Sequence, residues 1–140
     1  MLNKELIYSR FDDINDSIER LEKIKAISEK DFLIDFDLKD IASYKLITII
    51  EASLTICQHI CAKKLKKAPE SYSHCFKLLS ENNLLEDKLA IKLQKMARFR
   101  NMLIHTYWNI DYSLVYEIIQ KNLIDVKKFI IQISDVLKYE

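Results

Sequence analysis

Residues 38–65 of this chain read LKDIASYKLITIIEASLTICQHICAKKL. The apolar residues of this segment fall on more than one side of a helix: Ile41, Ile47, Ile49, Ile50, Leu54, Ile56 and Ile60. A helix that is apolar around much of its circumference lies at the centre of a bundle or partly in a subunit interface. We therefore expect a central helix from about Asp37 or Leu38 to Leu65, with Asp37 as its N-cap. Four lysines lie at its C-terminal end, where the helix dipole favours positive charge: Lys63, Lys64, Lys66 and Lys67.

The absence of glycine supports an all-helical fold. The chain has no Gly and a single proline, Pro69. Two-residue hairpins favour Gly in their turns, and loops that cradle phosphates need Gly for close backbone approach. The composition therefore excludes P-loop and Rossmann proteins and leaves long helices joined by short polar turns. Asparagine can replace Gly where a helix end needs a positive φ, and Asn82, Asn83 and Asn109 lie at expected helix ends.

Apolar residues that recur at steps of three and four predict helices on both sides of the central segment. In the first helix the repeat is Ile7, Phe11, Ile14, Ile18, Leu21 and Ile24. This first helix is predicted over Leu2–Ser28. The helices predicted after the central segment span Ser71–Leu79, Glu86–His105 and Asp111–Lys138, with Ser71 and Asp111 as N-caps. Residues 31–37 break the pattern, with room for one short turn. At 140 residues the natural expectation is a single domain spanning residues 1–140. The predicted fold is an all-α, up-and-down bundle of four or five helices.

Composition also restricts the class of function. The formal net charge is +1, so binding to a nucleic acid would require a local basic patch. No segment has about 18 uninterrupted apolar residues, so we expect no membrane span. The N-terminal residues, with Glu5, Arg10, Asp12 and Asp13, are too polar for a signal peptide. Three cysteines, an odd number, indicate reduced thiols in the cytoplasm.

The cysteines and histidines do not form a recognisable metal motif. Cys57 and Cys61 are four residues apart, with His59 between them, and His74-Cys75 follows. Zinc needs three or four converging ligands, and on a helix His59 points away from Cys57 and Cys61. We therefore expect buried thiols, with no metal and no cofactor.

The candidate catalytic residues lie in residues 100–107, RNMLIHTY. Arg100 can hold a phosphate through a planar, two-pronged contact, and His105 can transfer a proton at physiological pH. Five residues on an ideal helix separate them by about 140° around the axis. They can meet only if the helix ends or distorts near Ile104, or if a second copy of the chain supplies part of the site. The alternative is that Arg100 pairs with a carboxylate and His105 caps a helix C-terminus.

These residues resemble the signature of the HEPN superfamily, in which a histidine follows an arginine after four to six residues. More narrowly, Arg100, four residues, His105, one residue and Tyr107 resemble the motif of the HepT family, with Asn101 in the usual polar position. The likeness covers roughly residue 37 to the C-terminus. It includes Ile50-Glu51-Ala52, His59-Ile60, Pro69–Tyr72, Phe76–Leu79, Met96–Asn101 and Ile110-Asp111. Thr106 departs from the pattern, since many relatives carry Gly there, but no functional group is lost.

The resemblance implies a metal-independent ribonuclease that acts as a toxin. His105 would be the general base or acid, Arg100 would stabilise charge on the phosphoryl oxygens, and Asn101 would orient the phosphate or His105. In this family the site forms in the cleft of a homodimer. The motif tyrosine, here Tyr107, accepts AMP from the minimal nucleotidyltransferase antitoxin MntA, and the added charge would block RNA binding. The implied partners are therefore RNA and an MntA-type antitoxin, with no DNA.

Several alternatives remain open at this point. Tyr107 can instead pack against Trp108 in the turn. Lys88, Lys92, Lys95 and Arg98 can form a track for an RNA backbone or a solvated face balanced by acids. Glu51 can be a core carboxylate or can line the cleft. The chain can also be a non-catalytic helical subunit that docks on a minimal nucleotidyltransferase and presents its substrate.

Overall fold

The computed structural model describes all 140 residues and contains α-helices joined by short turns, without a β-strand. The helices are α1 (Lys4–Lys25), α2 (Glu29–Leu33), α3 (Phe36–Ile60), α4 (Tyr72–Glu81), α5 (Asp87–His105), α6 (Tyr112–Lys121) and α7 (Leu123–Lys138). A π-helical turn, Cys61–Leu65, continues α3. The all-α fold class is confirmed. The helices are more numerous than expected because α2 is a separate short helix and the last predicted helix is interrupted.

Helix α3 is the centre of the bundle and contacts five other helices, α1, α2, α4, α5 and α6. Its predicted apolar residues Ile49, Ile50, Leu54, Ile56 and Ile60 are buried, whereas Ile41 and Ile47 are partly exposed. All six apolar residues predicted for α1 are buried against the same continuous core. The periodicity of the sequence therefore identified the core-facing sides of both helices.

Together with its π-helical end, α3 is also the one helix long and apolar enough to cross a membrane, over Phe36–Leu65. Of its most apolar window, 56% is buried against the other helices. The central helix of a bundle has this length and composition for packing reasons alone, so the finding is weak evidence for a membrane span.

The helix caps are largely those expected from the sequence. Ser71 accepts a hydrogen bond from the His74 backbone N–H at 3.1 Å, and Asp111 accepts one from Leu114 at 3.2 Å. The predicted cap of α3 was wrong by two residues. Asp35, not Asp37, accepts from the Leu38 backbone N–H, at 3.1 Å. Asp37 lies inside the first turn, where its charge still favours the helix dipole.

The prediction of one continuous helix over Asp111–Lys138 was wrong, because the helix is interrupted at Asn122. The Asn122 amide donates a hydrogen bond to the Asp125 carboxylate at 2.9 Å. The Asp125 backbone N–H in turn donates to the Asn122 carbonyl at 3.1 Å. Such local bonds offer the backbone an alternative to the helical ladder, so α6 ends at Lys121 and α7 begins at Leu123.

Two residues have a positive φ, Asn83 and Lys66. Asn83, at φ 60°, follows α4 and takes the role predicted for it. Asn109 does not have the positive φ that was predicted for it. Its backbone N–H instead donates to the Thr106 carbonyl at 2.9 Å. Lys66, at φ 56°, ends the π-helical turn, an uncommon conformation for a residue with a Cβ.

Candidate active site

The centre of the candidate site is Arg100, in the second half of α5. Its Nε donates a hydrogen bond to Oε1 of Glu51, near the middle of α3. The face of its guanidinium lies 4.7 Å from the centre of the Tyr72 ring, within the range of a cation–π contact. The ion pair suggested by the sequence is therefore present. Glu51 is 45% exposed, so it lines the site and is not a core carboxylate.

Tyr72 reaches this position because the segment before α4 is held by local hydrogen bonds. The Glu70 backbone N–H donates to Nδ1 of His74 at 3.0 Å. Ser71 caps the helix, which places Tyr72 at its first residue. Helix α4 packs closely against α5, so the Tyr72 ring lies over Arg100.

An open hollow of about 470 Å³ is lined in part by Tyr72, although neither Arg100 nor Glu51 lines it. It lies between the segment 69–73, the end of α3 and one face of α5, and it is lined by Gln58, Pro69, Glu70, Ser71, Tyr72, Ser73, Ala97, Arg98 and Asn101. Arg98 and Asn101 are exposed there. Most of the lining residues are polar or charged, which suits a hydrated, charged ligand such as a sugar-phosphate chain.

His105 is the last residue of α5 and is exposed. Thr106 is the C-cap of the helix: its backbone N–H makes the last helical hydrogen bond, to the Met102 carbonyl at 3.0 Å, and its hydroxyl donates to the same carbonyl at 2.6 Å. The helix is regular between Arg100 and His105, so the two side chains project about 140° apart. Within one chain the structure therefore does not bring Arg100 and His105 to the same point.

The turn after α5 exposes two aromatic rings. Tyr107 is 71% exposed and Trp108 is 73% exposed. Their rings are 5.3 Å apart in an edge-to-face arrangement. Tyr107 therefore does pack against Trp108, but the pair stands on the surface. Its phenol is open to a reagent or a partner.

The basic residues of α5 do not form one continuous track. Lys92 reaches the buried carboxylate of Asp125, at 3.6 Å, and Lys92 and Lys95 line a different hollow between α5 and α6. Arg98 alone of this series lines the hollow beside Arg100. Residues spaced by four, three and three positions do not all lie on one face of a helix. Lys92 and Lys95 therefore face one hollow and Arg98 faces the other.

A second cluster lies beneath the end of α3, where the sulfur atoms of Cys57, Cys61 and Cys75 converge. Cys61 and Cys75 are 3.8 Å apart at sulfur. Hydrogen bonds from the thiols of Cys57 and Cys75 lower the pKa of Cys61 to about 4, and burial raises that of Cys57 well above its usual value. As expected, His59 points elsewhere, and its Nε2 accepts a hydrogen bond from the Asn3 backbone N–H at 2.8 Å.

The residue of this site to which sequence reasoning assigned no role is Tyr72, whereas the roles of Glu51 and Arg98 were left undecided. Glu51 carried a signal, since it is the one carboxylate inside an otherwise apolar stretch of α3. Little in the sequence indicated a role for Tyr72, because only the packing of α4 against α5 brings it to Arg100.

An all-α bundle with a partly buried arginine and an exposed histidine in the last turns of one helix matches the HEPN class of proteins. Comparison with known proteins narrows this class. Residues 14–133 match the family model described as ribonuclease HepT-like. The chain belongs to this family of ribonucleases, so the resemblance and the expected enzyme class are confirmed.

Individual relatives cover nearly the whole chain. The chain is 30% identical to the mRNA nuclease HepT of Shewanella oneidensis over 136 residues, 97% of this chain and 98% of the relative. It is 29% identical over 134 residues to the tRNA nuclease HepT of Aphanizomenon flos-aquae, 94% of this chain and 90% of the relative. The structure superposes with a TM-score of 0.85 and 30% identity on the tri-AMPylated Shewanella oneidensis HEPN toxin in complex with MNT antitoxin, covering 99% and 100% of the two chains.

Proposed function

We propose that this protein is a metal-independent RNA endonuclease toxin whose active site is completed by a second copy of the chain. The observation that carries the proposal is the position of Arg100 and His105. His105 is the exposed last residue of α5 and the less exposed Arg100 lies five residues before it, and their side chains project about 140° apart. In a twofold dimer, Arg100 of one copy can face His105 of the other, so that the arginine holds a phosphate while the histidine transfers a proton in the same cleft.

The chemistry follows from these two groups. The RNA 2′-OH attacks the adjacent phosphorus, the bond to the 5′-oxygen breaks, and a 2′,3′-cyclic phosphate forms. His105 removes the proton of the 2′-OH, and the His105 of the second copy can protonate the departing 5′-oxygen. Arg100 stabilises the charge that develops on the phosphoryl oxygens. Because Glu51 engages Nε, the two terminal amino groups remain available for a two-pronged contact. Asn101 is close enough in sequence to orient the phosphate.

Tyr107 is the proposed control point. Its exposed phenol would attack the α-phosphorus of ATP, with release of pyrophosphate, on a nucleotidyltransferase of the MntA type. The AMP groups would bring negative charge to the edge of the cleft and repel the RNA backbone. Support comes from the tri-AMPylated state and the bound antitoxin of the Shewanella oneidensis relative. The protein would act in the cytoplasm, where RNA and ATP are present.

The test is RNA cleavage by the purified chain in the presence of EDTA. Arg100→Ala and His105→Ala are each expected to lower the cleavage rate by about 100-fold or more, the usual contribution of a general acid–base group. Arg20→Ala, an exposed arginine on α1, is the matched control and should cleave normally. Full activity of either site variant, or loss of cleavage in EDTA, would contradict the proposal.

The exposed Tyr107–Trp108 pair also favours a second function, a non-catalytic subunit that docks on a nucleotidyltransferase through these rings. The same assay separates the two. If the chain alone leaves RNA intact while Trp108→Ala abolishes binding to the transferase, the docking function is favoured.

A further inference from the structure

The sulfur atoms of the three cysteines converge on one point, although Cys75 is 14 residues from Cys61 in the sequence. Cys57 lies on α3, Cys61 opens the π-helical turn, and Cys75 lies on α4. All three are reduced and fully buried, and their sulfur atoms lie within 4.8 Å of one another. The π-helical turn at the end of α3 is a rare conformation. This turn begins at Cys61, at the cluster itself.

The separation of the sulfurs suits a single ion at their centre. Three sulfurs that each bind one ion at about 2.3 Å lie about 3.8–4.0 Å apart. Cys61 and Cys75 are already 3.8 Å apart, so little movement is needed to coordinate an ion. Cys57 completes the triangle from the preceding turn of α3.

The surroundings indicate which ion this would be. Zinc in structural sites takes four ligands, but no fourth donor stands with the cysteines. His59 is engaged by the Asn3 backbone N–H, and Nδ1 of His74 by that of Glu70. Complete burial leaves no open path for a water ligand. Thiolates without oxygen or nitrogen donors select soft ions such as Cu(I).

We propose that Cys57, Cys61 and Cys75 form a buried three-thiolate site for one soft monovalent metal ion of the Cu(I) class. Binding would release the thiol protons and leave net negative charge in the core. Lys67 stands close enough to Cys61 to interact with its charge, and the π-helical turn adds further lysines. This positive charge offsets part of the cost of burying the complex.

The site would also restrain the neighbouring segment. The chain between Cys61 and Cys75 includes Tyr72, which lies on Arg100. An ion bound to both cysteines would clamp the two ends of this segment and raise the stability of the folded chain by mass action.

The experiment is an anaerobic titration of the reduced full chain with Cu(I) against a competing Cu(I) chelator. We expect one Cu(I) per chain, an ultraviolet thiolate-to-copper charge-transfer band and a higher Tm. Cys75→Ser should weaken binding by about 100-fold or more, because loss of a ligand exceeds the effect of losing an outer partner. Cys57→Ala provides a second variant if the first folds poorly by circular dichroism. His59→Gln keeps all three sulfurs and should bind Cu(I) like the unaltered chain.

Three results would overturn the proposal. The first is no tight Cu(I) binding by the folded, reduced chain. The second is equal binding by the cysteine variants, which would place copper elsewhere. The third is tighter stoichiometric binding of Zn(II) than of Cu(I) in parallel titrations, which would require a fourth ligand and a different class of ion.

Discussion

Arg100 on α5 is tied to Glu51 on α3 through the guanidinium Nε. The Cζ atom of the same guanidinium lies 4.7 Å from the centre of the Tyr72 ring, at the start of α4. Three helices therefore fix one side chain, which is only 16% exposed. An arginine side chain loses considerable rotamer freedom when it binds a ligand. The contacts with Glu51 and Tyr72 already restrict the rotamers of Arg100 in the folded chain, so less freedom is lost on binding. If Arg100 binds a phosphate as proposed, its side chain is already held in place before the phosphate arrives.

Replacing Glu51 tests this preorganisation. We expect Glu51→Ala to lower kcat/KM for RNA cleavage by about tenfold, because a hydrogen bond to a charged group contributes about 1.5–3 kcal/mol. Glu51→Gln keeps an acceptor oxygen and should retain most of the activity. Steady-state kinetics of the cleavage of a short RNA give kcat and KM for each variant. Equal activity of Glu51→Ala and the unaltered chain would show that Arg100 does not need this partner.

Tyr72 should act through its ring and not through its hydroxyl. Tyr72→Phe is expected to cleave RNA at the normal rate, whereas Tyr72→Ala should lose about two- to fivefold in kcat/KM. A cation–π contact at an exposed site contributes about 0.5–1 kcal/mol. The same cleavage assay measures the effect. A larger loss in Tyr72→Phe than in Tyr72→Ala would assign the hydroxyl a direct role.

Local periodicity explains why much of the fold could be predicted. The core side of α1 was found because its apolar residues repeat at helical spacing, which depends on no other part of the chain. The end of α5 at His105 was found because a polar, aromatic turn follows it. Arg100 and His105 were identified from their own chemistry and from resemblance, which also need no tertiary information.

The features that were missed depend on competition or on distant contacts. The break at Asn122 arises because a side-chain hydrogen bond to Asp125 competes with the helical ladder. The cap of α3 was misplaced because two acidic residues two positions apart can each cap a helix. Cys75 joins the other cysteines only when α4 folds back across the end of α3. None of these outcomes follows from a periodic pattern.

Because the Asp125 carboxylate is buried, we expect replacement of Lys92 to lower the free energy of unfolding more than replacement of Lys121 does. Asp125 is 2% exposed and has Lys92 at 3.6 Å and Asn122 as partners. Lys92→Met leaves this charge without its cation and should lower the free energy of unfolding by about 1–3 kcal/mol. Lys121→Met removes an exposed pair with Glu117 and should change it by less than about 1 kcal/mol. Urea denaturation of both variants measures the difference, and equal effects would contradict the structural role of Lys92.

His59 should make the stability of the fold depend on pH. Burial, with the positive charges of Lys63 and the N-terminus, lowers the pKa of His59. Its Nε2 can accept the hydrogen bond from Asn3 only when that nitrogen is unprotonated. The unfolded chain, with a histidine pKa of about 6.5, therefore binds this proton more tightly, and stability falls as the pH drops below that value.

We expect the urea midpoint at about pH 5.5 to lie below that at about pH 7.5. His59→Gln can accept the same hydrogen bond through its side-chain oxygen without titrating, so the gap between the two midpoints should narrow. His105→Gln, at an exposed histidine, is the matched control and should keep the gap of the unaltered chain. If His59→Gln shows the same pH dependence as that control, another group is responsible, and the contact with Asn3 does not couple folding to pH.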